Sequence, residues 1–124
     1  CYNHHRYSLS ERILLKENHL TVIDNLEELI LKANKKKQKI IIEAKSPSFA
    51  KKISKLKIER ILLDNFTPKQ IKDYLKSYKK QKIEVSGSIN INNIKKYAID
   101  GVNFISIGSL TKNIISKDIS LLIE

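Results

Sequence analysis

The sequence predicts an α/β chain of parallel β/α units, the C-terminal part of a β/α barrel, and three observations carry that prediction. Short apolar runs recur, and each closes on polar or glycine residues: "KIIIEAKS" at Glu43, "ERILLDNF" at Asp64, "QKIEVSGS" at Ser86 to Ser88, "NFISIGSL" at Gly108 and Ser109. These closing positions are spaced by 21, 22 and 22 residues, the length of one strand, one helix and two short loops. The runs also lack strict polar alternation, which fits parallel strands covered by helices on at least one face.

Taken in order, "RILLKENH" reads as a short strand ending near Lys16. "DNLEELILKANKK" has Leu26, Leu29 and Ile30 at helical spacing behind Asp24 or Asn25 as a cap. "KIIIEA" is a buried strand, "SPSFAKKISKLK" a helix with Pro47 in its first turn, and "RILLDN" the next strand. "TPKQIKDYLKSYKK" is the clearest helix, with Thr67 as N-cap, Pro68 at the first helical position and Ile71, Tyr74, Leu75 and Tyr78 as its apolar stripe. "KIEVSG" is a strand, "NINNIKKYAID" a helix stopped at Gly101, and "NFISIG" a strand; "SKDISLLIE" fits helix or strand equally.

An eight-unit barrel takes about 250 residues. The chain has 124 residues, opens on Cys1 rather than Met, and so reads as the C-terminal part of a barrel domain over residues 1–124, with the first barrel units expected upstream. Half a barrel leaves open sheet edges and an uncovered face, so the 124 residues alone are expected to be marginally stable and inactive.

The formal net charge of +11 raises the question of a polyanion partner. Only Arg6, Arg12 and Arg60 among the 24 basic residues are arginines, however, and the lysines are dispersed over the expected helices, which favours solvated helix faces and no nucleic-acid partner. One cysteine excludes an internal disulfide, and no apolar run approaches the roughly 20 residues that span a bilayer. With no signal-peptide shape either, the expected location is the cytoplasm, with no membrane partner.

In a β/α barrel the chemistry sits at the C-terminal ends of the strands. Lys16, Glu43, Asp64, Ser86 to Ser88 and Ile107 to Ser109 are therefore expected at one mouth. An Asp-Asn pair after an apolar run has an ordinary reading as a turn start. The two Gly-Ser turns can present backbone N–H groups to a phosphate, and each is also an ordinary loop. His4, His5, Arg6 and Lys16 add cations suited to a small polyanionic substrate, or form a solvated basic loop with a buried lysine.

The segments "NHHRYSLSERILLKENHL", "IIIEAK", "ILLDNF", "IEVSGSINI" and "YAIDGVNFISIGSLT", followed by "DISL", resemble in order and spacing the C-terminal domain of the quinolinate phosphoribosyltransferases, or carboxylating nicotinate-nucleotide pyrophosphorylases. That resemblance implies conversion of quinolinate and phosphoribosyl pyrophosphate to nicotinate mononucleotide, pyrophosphate and carbon dioxide, with Mg²⁺ accompanying the pyrophosphate. It implies a cationic pocket for the quinolinate carboxylates at His5, Arg6 and Lys16. Glu43 and Asp64 are then the acids near the ribose, touching the metal only through the pyrophosphate, and Ser86, Gly87, Ser88, Ile107, Gly108 and Ser109 the phosphate-binding turns. The resemblance also implies an N-terminal domain upstream, with part of the site coming from upstream strands and from a partner subunit, the full-length protein being a homodimer or larger.

The chain departs from the family pattern at three points. Ser88 stands where a second glycine is usual, His4-His5-Arg6 where Asn-His-Arg is usual, and Glu11 where Asp is usual. The alternatives from other classes are a related barrel protein or degenerate remnant that binds an anionic ligand without catalysis, and a nucleic-acid binder whose affinity falls steeply with salt.

Overall fold

The computed structural model describes residues 12–20, 25–108 and 120–122. Strands β1 (Arg12–Leu15), β2 (Lys39–Ala44), β3 (Arg60–Asp64), β4 (Lys82–Ser86), β5 (Phe104–Ser106) and β6 (Ser120–Leu122) form one sheet in chain order. The first five run parallel and only β6 is antiparallel, against β5. Helices α1 (Glu17–Leu20), α2 (Leu26–Lys35), α3 (Pro47–Ile53), α4 (Pro68–Ser77) and α5 (Ile94–Tyr97) fill the connections. The architecture is the expected α/β partial barrel of parallel β/α units, and the ambiguous C-terminal run contributes a strand.

The helices begin where their capping residues stand. Asn25 and Ser46 accept from the backbone N–H three residues on, at 3.1 and 3.3 Å. Thr67 and Gln70 form a full capping box, with Pro68 at the first helical position. Ile71, Tyr74 and Leu75 bury the α4 stripe. Two helices depart from expectation: α1 is an extra short helix directly after β1, and α5 spans one turn and is not capped by Gly101. The Asn90 and Asn93 side chains accept backbone N–H groups within "NINN" at 2.8–3.1 Å, competing with helix there. Gly101, at φ +97°, serves the turn into β5, where a Cβ would stand 3.2 Å from Leu75.

Cross-strand partners share a face, and the two faces of this sheet differ. Ile42, Ile61, Ile83 and, one step on, Leu63, Val85 and Ile105 form register-matched rows in the apolar core with Ile30, Ala33, Ala50, Ile53, Ile71 and Tyr74 from the helices. The opposite face carries the register row Glu43, Leu62, Glu84 and Phe104, with Arg60 and Asp64 to either side on β3. Alternation is therefore present; Leu14, Ile41 and Leu62 hide it in the sequence by placing aliphatic residues on the polar face. Every described lysine is exposed, Lys16 included, so the reading of a buried Lys16 does not hold. No helix among the described residues is long and apolar enough to cross a membrane.

Candidate active site at the strand ends

The polar face is closed at its lower level. Arg60 Nη1 meets Glu84 Oε2 at 3.0 Å with side chains 2% and 3% exposed, and the Ser106 hydroxyl donates to Glu84 Oε1 at 2.6 Å. The Arg60 guanidinium lies 4.1 Å from the Phe104 ring centroid. Burial pushes its pKa below the ordinary guanidinium value, and the Glu84 carboxylate is the largest influence opposing that shift.

Toward the strand ends the arrangement opens. Glu43 is buried on β2, and its Oε2 has no hydrogen-bond partner among the described residues. An isolated buried carboxylate oxygen is costly, because it has given up water for nothing. Leu15, the last residue of β1, pairs with Ile42, and the exposed Lys16 and the buried Glu43 are the residues that follow that pair on the two chains.

Asp64 ends β3 opposite Ser86, which ends β4. The Ser86 hydroxyl donates to Asp64 Oδ1 at 2.9 Å, and Asn65 Nδ2 donates to Asp64 Oδ2 at 3.2 Å. Beyond Ser86 the backbone turns through Gly87 at φ +86° and Ser88 at φ +54°. Glycine is obligatory at 87, since a Cβ there would stand 2.4 Å from Asn65 Oδ1 and 2.8 Å from Asn65 N. Ser88 holds its left-handed backbone despite its Cβ, and its hydroxyl reaches Asn65 Oδ1 at 3.3 Å.

Gly108 is exposed, and a Cβ there would meet nothing within 4 Å. Ile107 differs from the expectation: its side chain is buried in the apolar core, because the strand period turns it to the helix side, leaving only its backbone for the strand-end loops. His5, Arg6 and Ser109 lie outside the described residues. Among the described residues no group of three or more His, Cys, Asp or Glu is placed to hold a metal ion. Asn65 was legible in the sequence only as a turn residue, although it contacts Asp64 and stands beside the Gly87 turn.

The family description "Quinolinate phosphoribosyl transferase, C-terminal domain" matches residues 2–122. The chain belongs to the quinolinate phosphoribosyltransferase family. Among its curated relatives, the probable nicotinate-nucleotide pyrophosphorylase [carboxylating] of Archaeoglobus fulgidus is 32% identical over 123 residues, covering 94% of this chain and 48% of the relative. The nicotinate-nucleotide pyrophosphorylase [carboxylating] of Dictyostelium discoideum is 33% identical over 127 residues, covering 97% and 42%. The solved nicotinate-nucleotide pyrophosphorylase of Ehrlichia chaffeensis superposes with a TM-score of 0.74 at 32% identity, covering 92% of this chain and 43% of that one. That of Francisella tularensis gives 0.74 at 30%, covering 90% and 40%. The chain spans under half the length of these curated relatives.

Proposed function

We propose that this chain contributes the acids and phosphate-binding turns of a quinolinate phosphoribosyltransferase, a cytoplasmic enzyme of NAD biosynthesis acting as a homodimer or larger assembly. Phosphoribosyl pyrophosphate gives up its pyrophosphate with the electron pair of the C1–O bond, and the quinolinate ring nitrogen forms the new bond to C1. The 2-carboxylate then leaves as carbon dioxide and a proton takes its place, giving nicotinate mononucleotide.

The observation that carries the reading is the pair of acids. Glu43 and Asp64 lie toward the ends of adjacent strands on the polar face, and Glu43 keeps a buried oxygen without a partner among the described residues. As C1 loses the pyrophosphate, positive charge develops on the ribose, and fixed carboxylates stabilise it without reorganising. Mg²⁺ belongs to this scheme as part of the substrate, bound to the pyrophosphate. Two carboxylates, one of them already engaged by Ser86 and Asn65, suit a metal carried in by its phosphates better than one resident in a protein cage. Lys16 at the edge, with His5 and Arg6, takes the quinolinate carboxylates, and its exposure leaves the ammonium available. The turn Ser86 to Ser88 and the segment Ile107 to Ser109 take phosphate oxygens, the open space beside Gly108 leaving room for one.

Asp64→Asn in the full-length protein tests this. Asn serves a turn about as well as Asp, so a turn residue would keep kcat; loss of a preorganised charge costs about 10² to 10³ in kcat. Full quinolinate turnover at unchanged Tm would withdraw Asp64 from the reaction, and absence of turnover in the wild type would favour an anion-binding relative.

A further inference from the structure

The reaction as proposed makes no use of Asn65, yet its side chain bridges the acid that ends β3 and the turn that follows β4. It occupies the left-handed region at φ +56°, and its N–H donates to the Ser86 carbonyl at 2.9 Å. The chemistry of its neighbours fixes its amide: the Asp64 carboxylate only accepts, so the NH₂ faces Asp64, and the carbonyl oxygen faces the Ser88 hydroxyl. The same oxygen lies where a side chain at position 87 would stand. Asn93 Nδ2 in turn donates to the Ser88 carbonyl at 2.9 Å, tying the far side of the turn to the start of α5.

A left-handed turn requires only glycine or an asparagine with a free side chain. Here both ends of the amide are engaged, one on the acid that ends β3 and one on the turn that follows β4. The last torsion of an aspartate is soft and roughly two-fold. Ser86 holds one carboxylate oxygen and Asn65 the other, so the two bonds together fix the carboxylate's rotation. Three residues with positive φ, Asn65, Gly87 and Ser88, meet at this point; strained backbone of this kind persists where surrounding contacts over-determine it.

We propose that Asn65 is a positioning residue whose side-chain amide sets the orientation of the Asp64 carboxylate and locks it to the Gly87–Ser88 turn. The proposal rests on the reading of Asp64 as the acid facing the ribose, and it deepens that reading by naming what aims the acid.

Asn65→Gly isolates the amide, because glycine keeps the left-handed backbone and the N–H bond to Ser86. In the full-length protein kcat for quinolinate falls about ten-fold, the scale of one hydrogen bond to a charged group. In an Asp64→Asn background the same substitution changes kcat less than about two-fold, because there is no charge left to aim. Equal fold-losses in both backgrounds, or a lowered Tm with kcat unchanged, would overturn the proposal. The readout independent of turnover is a urea-denaturation cycle of Asn65→Gly, Asp64→Asn and the double variant. Midpoint shifts that fail to add are expected from a direct contact, and additive shifts would overturn it even if the wild type shows no quinolinate activity, the result that would instead refute the functional reading.

Discussion

Replacing Glu84 by glutamine is expected to destabilise the fold by about 3 kcal/mol, the lower end of the cost of leaving a buried charge uncompensated. The size follows from what Arg60 has left. Its side chain is 2% exposed, its Nε has no hydrogen-bond partner among the described residues, and Nη1 meets Glu84 Oε2 at 3.0 Å. A lysine in such a place would shed its proton, whereas a guanidinium cannot at any ordinary pH. Glutamine nearly matches glutamate in volume, so no cavity contributes, and its carbonyl can still accept from Ser106 or Arg60, which keeps the loss near the lower bound. At roughly 3–5 °C per kcal/mol for a chain of this size, Tm falls by about 10–15 °C. Thermal and urea unfolding of wild type and Glu84→Gln side by side measure this. The paired change Arg60→Met with Glu84→Leu removes both charges and is expected to lie within about 1 kcal/mol of wild type or above it. A loss below about 1 kcal/mol for Glu84→Gln alone would mean that water reaches Arg60 and that the pair is not a dry core contact.

Glu43→Gln separates stability from chemistry: neutralising a buried acid whose Oε2 has no partner among the described residues raises stability by about 1 kcal/mol while kcat drops by about 10² to 10³, and a lowered Tm would reveal a cation already paired with Glu43. Gly87→Ala costs about 1–3 kcal/mol, since φ +86° and a Cβ 2.4 Å from Asn65 Oδ1 both oppose it; an unchanged urea midpoint would contradict the turn geometry. Burial, seconded by Tyr78, pushes the Tyr74 hydroxyl up to about 12. The unfolded tyrosine ionises near 10, so this group costs no stability below pH 10 and erodes it as pH rises toward 12, a slope that Tyr74→Phe removes.

The parallel order was legible because its signal is one-dimensional: apolar runs at a fixed period, with Asn25, Pro47, Thr67 and Pro68 marking helix starts that the structure uses. The site was legible in part for the same reason, since Lys16, Glu43, Asp64, Ser86 and Gly108 punctuate those runs. What escaped depends on register. Arg60 precedes "ILLD" in the sequence and looks like a solvated prelude, yet its partner Glu84 stands 24 residues on, across a strand pair that brings the two together. The role of Ser86 as a donor to Asp64 is equally invisible before Asp64 and Ser86 are known to be opposite each other. The helix before Gly101 was overestimated because asparagine side chains that cap and bend the backbone look polar and helical in a periodicity count.

Glu43 and Glu84 occupy the same row of the same face, joined through Leu62, and both are buried. What differs is the source of the counter-charge. Glu84 receives a guanidinium and a hydroxyl from within the sheet, so its charge is spent on structure. Glu43 receives no donor to Oε2 from the described residues, and that asymmetry locates chemistry better than burial or acidity alone. A carboxylate held in a packed sheet without its own partner has a standing free-energy gain available to any group that brings positive charge to it. Under the proposed function, a ribose acquiring charge as its pyrophosphate departs brings that charge only in the transition state, so the stabilisation falls on that bond-breaking step rather than on substrate binding.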